Sequence, residues 1–191
     1  MEKSYAKNSH NVNIKYPNGH RKPKKMIFSG LMSKIGISGY FGTFFSEVNI
    51  NGKVLPMDYP FLLAHEKAHQ FGIASEADAN MAAFMVCATA ECKKVRYSGY
   101  LRLVLYFLGD AQYLSDYRDY IEKIDEQVIE DIRFRQKYYI GLRDEKMEKA
   151  HEVVYDAYLK KNHIASGIEN YNQVVGLVIS LLNDNFVVKN N

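Results

Sequence analysis

The sequence predicts a mainly α protein of the α+β class, with a small β element near its N-terminus. Two observations predict this class. Apolar residues recur at helical spacing from Pro60 onward, and residues 26–58 are rich in glycine and in residues that favour strands. The composition of the 191 residues, 47% hydrophobic and 25% charged, is typical of a globular domain and argues against intrinsic disorder.

The first 25 residues are polar and basic, and we expect them to form an arm ahead of a single domain at residues 26–191. Eight of the 25 Lys and Arg residues lie within residues 1–34, where Glu2 is the only acid. The rest of the chain has more acidic than basic groups, which argues against a globally basic nucleic-acid binder. The arm is interpreted as a segment close to anionic lipid headgroups of a membrane, as a lid over a functional cleft, or as a solvated tail.

The sequence contains no pattern of a signal peptide or of a membrane span. No basic segment followed by an apolar stretch begins the chain. The longest apolar stretch near the end, residues 174–182, is too short to cross a bilayer. We therefore expect this chain by itself to be soluble.

The β element is predicted within residues 26–58, as one or two short strands. Glycines punctuate this stretch at positions 30, 36, 39 and 42. Asn51 and Gly52 form a two-residue hairpin signal between SEVNI and KVL. We expect a hairpin there, ahead of the first long helix.

Two helices separated by a tight turn are predicted next. Pro60 suits the first turn of a helix over FLLAHEKAHQF, and Gly72 is typical of the residue that ends one. Ser75 is the predicted N-cap of a second helix, EADANMAAFMVCATAECKK, with acids in its first turn. This helix would contain both cysteines, Cys87 and Cys92, as buried thiols.

Further helical segments complete the predicted fold. They cover Tyr100–Leu108, about 110–140, 143–161 and 167–183. The stripe of Leu101, Val104, Leu105 and Leu108 is interpreted as core packing, and the charged segment before residue 140 as a solvated helix.

The segment His65-Glu66-Lys67-Ala68-His69 carries the clearest chemical signal. On a helix, His65 and His69 lie one turn apart on one face and can ligate a single zinc ion. Glu66, beside the first histidine, can act as the general base towards a water that the metal activates. The alternative is an ordinary pair of histidines on a helix surface.

A zinc site needs a third protein ligand, and Glu76 is the favoured residue. It lies seven residues after His69, at the start of the next helix, from which its carboxylate can point back across the turn. Asp78 is the competitor, but two residues further along it is rotated by about 200° around the helix. The remaining histidines, in the arm and in late charged segments, are interpreted as ordinary residues: His10, His20, His151 and His163.

Several segments together resemble a known family. They are Leu31-Met32-Ser33 to Gly39, Ser46 to Asn51, Pro60-Phe61, HEKAHQFGIASEADAN and Arg96 to Tyr100. They look like the bacterial domain-of-unknown-function family 3810, over about residues 26–183. The resemblance implies a zincin-like, membrane-anchored metalloprotease, and more widely a gluzincin, whose third ligand is the glutamate of an ExxxD motif. Glu76 matches that glutamate and Asn80 stands at the position of the aspartate, which makes Asn80 a supporting partner of the ligands.

The resemblance predicts a zinc-dependent metallopeptidase acting on peptide or protein substrates, with Zn²⁺ as its cofactor. Tyr97 and Tyr100 are the candidate donors to the reaction's oxyanion, although in a chain with 15 tyrosines they could be ordinary structural residues. SEVNIN is the candidate strand for binding an extended substrate, and a plain structural hairpin is its alternative. A non-catalytic zinc-binding sensor or scaffold is the alternative function, and a helical adaptor without metal is a third.

Overall fold

The computed structural model describes residues 1–8, 21–147, 149 and 172–183. Its elements are α1 (Glu2–Asn8), β1 (Lys24–Lys25), α2 (Ser29–Lys34), β2 (Gly39–Gly42), β3 (Glu47–Ile50), α3 (Tyr59–Gln70), α4 (Glu76–Ala88), α5 (Lys93–Ala111), α6 (Tyr117–Glu122), α7 (Glu126–Leu142) and α8 (Asn172–Asn183). The predicted class, mainly α with a small β element, is confirmed for these residues. Most of the helix predicted at 143–161 lies outside them, as do all four histidines that were set aside.

The three strands form one sheet in the order β1-β3-β2. β3 pairs antiparallel with β2 and parallel with β1, so it is the central strand. Within SEVNIN the strand covers Glu47–Ile50; β2 pairs along the whole of one edge, and β1 pairs with Asn49 and Ile50 on the other. β2 is an edge strand, and its second edge pairs with no strand in the described part of the chain.

Asn51 and Gly52 do not form the predicted hairpin turn. The hairpin connects β2 to β3 through residues 43–46, and Ser46 adopts a positive φ of 52° there. Asn51 is buried, and its side-chain amide donates to the carbonyl of Ile37 and to the hydroxyl of Ser33. These bonds hold the chain against α2 as it leaves the sheet, and residues 51–58 contain no strand.

α3 and α4 form a helical hairpin whose limits follow the predicted signals. Pro60 lies in the first turn of α3, and Gly72 has a positive φ of 99° just after its end. Ser75 is the N-cap of α4, and its hydroxyl accepts a hydrogen bond from the N–H of Asp78. Alanines of both helices are fully buried between them, which allows the two backbones to approach closely: Ala64, Ala68, Ala79 and Ala83.

α4 ends at Ala88, earlier than predicted, and this separates the two cysteines. Thr89 follows the helix, and its hydroxyl donates back to the carbonyl of Met85. Cys87 is buried, and burial raises the pKa of its thiol to about 12. Cys92 is exposed at the N-cap of α5, so the prediction of a second buried thiol within the same helix is wrong.

The N-terminal segment is packed rather than loose where the structure describes it. Tyr5 of α1 is fully buried and its hydroxyl donates to the carbonyl of Ala64 in α3. Lys67, on the same helix, is also buried and forms an ion pair with Glu2. β1 adds a strand to the sheet. The expected arm is thus joined to the core at both of its described ends, because Tyr5 and Glu2 supply partners that α3 needs.

The later helices differ from prediction in their limits. α5 begins seven residues earlier than expected, and the stretch predicted at 110–140 is divided into α6 and α7. α8 packs with Val174 and Val178 in the core formed with α4 and α5. Among the residues described, no helix combines the length and the hydrophobicity needed to cross a membrane.

Candidate metal centre

Three side chains meet at the end of the α3–α4 hairpin. Nε2 of His65 lies 3.2 Å from Nε2 of His69. The Glu76 carboxylate lies against both rings, with Oε2 3.2 Å from His65 Nε2 and Oε1 3.4 Å from His69 Nε2. One ligand atom from each residue lies within 4.8 Å of the others, which makes the three a possible metal-binding cluster.

The local fold brings these residues together. His65 and His69 are one turn apart on α3, so both rings extend from the same face. The turn at Gly72 reverses the chain, and Glu76 begins α4 directly opposite that face. Asp78 is exposed. The preference for Glu76 over Asp78 therefore agrees with the geometry.

Hydrogen bonds fix which atoms face the centre of the cluster. Nδ1 of His69 lies 2.7 Å from the carbonyl oxygen of Ile73, which can only accept, so this nitrogen donates and carries the proton. Nε2 of His69 is then the ring atom with a lone pair for a metal. Nδ1 of His65 is buried and has no hydrogen-bond partner among the described residues.

Glu76 and His69 shift each other's pKa values. The hydrogen bonds from His65 and His69 hold the pKa of the Glu76 carboxyl well below its ordinary value. Burial alone would lower the pKa of His69, but the bonds to Glu76 and to the Ile73 carbonyl outweigh it and raise that pKa. Without a positive charge between them, the lone pairs of these nitrogens and oxygens would repel one another. The cluster therefore needs protons or a cation.

The donor atoms fit a zinc ion in number, type and separation. Zinc lies ~2.0–2.2 Å from imidazole nitrogens and carboxylate oxygens, so neighbouring ligands of a tetrahedral site are ~3.3 Å apart. The three measured separations, 3.2, 3.2 and 3.4 Å, agree with that value. Within the described ranges the cluster has no fourth His, Cys, Asp or Glu member. Three protein ligands with one open position are typical of catalytic rather than structural zinc sites.

Glu66 lies beside the cluster with its carboxylate buried. The residue is only 6% exposed, and its Oε1 occupies the space directly over Gly39 of β2, 2.8 Å from where a Cβ would stand. Burial raises the pKa of Glu66; His65 and His69 act to lower it, and Glu76 adds to the rise. The side chain is thus held between α3 and β2, in a setting that favours a proton acceptor.

A cleft of about 780 Å³ opens over these residues. β2 forms one wall with Gly39, Tyr40 and Phe41, and α5 forms another with Arg102 and Tyr106. His65, Glu66, His69 and Glu76 all line it. Asn80 also lines the cleft and is 3% exposed, and its Nδ2 has no hydrogen-bond partner in the described part of the chain.

The two tyrosines predicted as oxyanion donors do not line this cleft. The hydroxyl of Tyr97 donates to Asp131 of α7, and Tyr100 is 42% exposed with its ring against Phe84. On the helix α5 these positions lie about 140° and 200° around from Arg102. The structure therefore places Tyr97 and Tyr100 outside the cleft that the candidate ligands line.

Arg102 and Tyr106 are two polar cleft residues that the sequence analysis missed. A signal for them exists in the small residues Ser98 and Gly99, which mark the face of α5 that packs closely on its neighbours. Ser98 accepts from the N–H of Phe61 in α3, and a Cβ on Gly99 would stand 2.7 Å from that of Cys87. Arg102 and Tyr106 follow Ser98 at intervals of four residues, so they share its face.

The fold and the cluster define a class: a mainly α chain with a small sheet and a possible two-histidine, one-glutamate metal site. Comparison with known families gives a more particular assignment, since residues 1–179 match the family described as protein of unknown function, DUF3810. The chain belongs to that family. Neither the curated proteins nor the solved structures yielded a match.

Proposed function

We propose that this chain is a zinc-dependent metallopeptidase. The observation that carries the proposal is the convergence of three zinc-type donors with a separate buried carboxylate, Glu66, in one open cleft. A metal site with no catalytic task has no need of such a carboxylate. The same features support a gluzincin-like arrangement on a zincin-like fold.

His65 and His69 would hold the ion through their Nε2 atoms, and Glu76 would hold it through its carboxylate. When bound, zinc polarises a substrate carbonyl and lowers the pKa of a water in the open position. His69 is oriented for this task by the hydrogen bond from its Nδ1 to the Ile73 carbonyl.

Glu66 is the proposed general base. Its carboxylate accepts the proton that the attacking water loses, and it then returns the proton to the nitrogen of the leaving amine. Burial favours both halves of this cycle, because the raised pKa makes Glu66 a stronger base and keeps the proton available for return.

The free edge of β2 is the proposed binding site for the substrate backbone. Asn51 donates to the carbonyl of Ser38, and hydrogen-bonded pairs alternate along an antiparallel ladder. Given the register Gly39↔Ile50, the N–H and C=O groups of Gly39 and Phe41 point away from β3, towards the open side. An extended peptide can pair with these groups beside Glu66.

Tyr106 is the proposed donor to the oxyanion, in place of the two tyrosines first considered. It lines the cleft from α5, and its ring packs edge-on against Phe61, one helical turn before His65. A phenol at this position can stabilise negative charge that develops on the substrate oxygen.

The proposal is tested by hydrolysis of a peptide library, read by mass spectrometry, with the zinc-loaded chain. Glu66→Gln should retain zinc and fold while lowering turnover by about a hundredfold or more. Glu91→Gln, which changes an exposed glutamate, is the matched control and should keep full activity. Equal activity of the Glu66 variant would exclude it as the base. Zinc binding without hydrolysis by the parent chain would favour the sensor or scaffold instead.

A further inference from the structure

A second cavity, of about 280 Å³, adjoins the cleft. The two spaces are adjacent, since six residues line both of them: Gly36, Ile37, Ser38, Phe61, Leu62 and Arg102. A molecule bound in the cleft can therefore extend a side chain or a chain end into this cavity.

The lining of the cavity is strongly basic. Its cationic residues are Lys53, Arg102, Arg135 and Arg143, and Asp58 is the only acid among the described residues that line it. A concave site with an excess of positive charge attracts anions.

Asp58 orients the guanidinium of Arg135 but bonds to only one of its nitrogens. Nε of Arg135 donates to Oδ1 of Asp58 at 2.7 Å, and the hydroxyl of Tyr139 donates to Oδ2 at 2.8 Å. The terminal nitrogens of Arg135 make no hydrogen bond to any residue that the structure describes. The guanidinium also lies over the ring of Tyr139, 5.1 Å from its centroid, which limits its motion.

Arg102 connects this cavity to the candidate metal centre. Its guanidinium lies over two aromatic rings, 5.6 Å from the centroid of Phe61 and 5.3 Å from that of Tyr106. Phe61 precedes His65 by one turn of α3, so Arg102 stands where the cavity meets the cleft. Contact with the two rings limits the motion of the guanidinium at this position.

We propose that this cavity binds a carboxylate of the peptide substrate, with Arg102 and Arg135 as the residues that recognise it. Guanidinium groups pair with carboxylates through parallel charge-assisted hydrogen bonds. The carboxylate comes from an Asp or Glu side chain or from the C-terminus of the peptide. This inference rests on the proposed function, because it assigns the substrate class of the same site.

Binding to the zinc-loaded Glu66→Gln chain tests the inference without requiring turnover. The probes are dye-labelled, alanine-rich peptides that carry either Glu or Gln at scanned positions and end in either a free carboxylate or an amide. A peptide with a carboxylate should bind about tenfold to a hundredfold more tightly than the Gln peptide with an amide end. Comparing the Glu peptide with an amide end to the Gln peptide with a free end identifies the source of the carboxylate.

Further substitutions in the Glu66→Gln chain show which residues give the preference for a carboxylate. Arg102→Met and Arg135→Met should each abolish the preference, measured within each variant as the ratio of the affinity for the carboxylate peptide to that for the neutral peptide. Arg133→Met, at an exposed position of the same helix α7, is the matched control and should retain the preference. Asp58→Asn with Arg135→Met removes both members of the ion pair, in case the single variant misfolds.

The outcomes separate this inference from the proposed function. Equal affinity of the parent for all four peptide types, or a preference that persists in both arginine variants, would overturn the carboxylate site and leave the peptidase proposal standing. Failure of the zinc-loaded parent to bind any of the peptides would overturn both.

Discussion

Glu66 is the residue whose surroundings most clearly suggest a chemical role. A glutamate that is 6% exposed loses much of its hydration, and proteins keep such a group only where its position matters. The carboxylate of Glu66 occupies the space over Gly39. Because Gly39 has no side chain, Glu66 can lie beside the cluster. The pairing of a glycine with a glutamate from another element is a feature that no local motif contains.

Gly39→Ala tests this pairing directly. The new Cβ would lie 2.8 Å from Oε1 of Glu66, so the carboxylate must move. A displacement of about 1 Å in a reacting group can lower turnover by about a hundredfold, and we expect a loss of that order with zinc content unchanged. The measurement is peptide hydrolysis alongside metal analysis.

Gly42→Ala, at the other end of β2, serves as the control for this experiment. A Cβ there meets its nearest neighbour at 3.6 Å, an ordinary contact, so activity should be retained. If the Gly39 and Gly42 variants hydrolyse peptides equally fast, the position of Glu66 over β2 has no part in the reaction.

At the scale of elements, α1 supports the helix that carries the site. Tyr5 packs edge-on against Phe71 and donates to the backbone of α3, and Glu2 pairs with the buried Lys67, the residue between Glu66 and Ala68. These contacts indicate that α1 belongs to the folded core.

Tyr5→Ala should accordingly destabilise the whole domain. Loss of a fully buried aromatic side chain costs about 3–5 kcal/mol of unfolding free energy. Tyr113→Ala removes a tyrosine that is 86% exposed and should change stability by less than ~0.5 kcal/mol. Urea unfolding of both variants measures the difference, and similar midpoints would show that α1 is not part of the core.

The elements that could be predicted from the sequence are those fixed by local signals. The capping of α4 by Ser75, the reversal at Gly72 and the four-residue spacing of His65 and His69 depend on neighbours in the chain, and each is found as predicted. These signals also give Glu76 its place in the cluster.

The elements that were mispredicted depend on contacts between distant segments. The central position of β3 follows from pairing with β1, which contains only Lys24 and Lys25 and has no strand pattern of its own. The rotation of α5, which sends Arg102 rather than Tyr100 into the cleft, is set by packing against α3 and α4. Burial of Tyr5 likewise needs the complete core.

At the scale of the whole molecule, four elements, α3, α4, α5 and β2, line one cleft. The α3–α4 hairpin supplies the candidate ligands, β2 forms the wall proposed to bind the substrate backbone, and α5 contributes a guanidinium and a phenol. Membership of DUF3810 assigns the chain to a family, and the site supplies a hypothesis for the activity of this member. That hypothesis depends first on whether the cluster binds metal.

Metal analysis of the purified chain, after incubation with zinc and dialysis against a weak chelator, tests this central claim. We expect one zinc ion per chain, lost in His69→Ala and in Glu76→Gln because each removes one of the three donors. His163→Ala, at a histidine interpreted as an ordinary residue, should retain full zinc content. A chain that retains stoichiometric zinc in the His69 variant, or that binds none as the parent, would contradict the assignment of His65, His69 and Glu76 as a zinc site.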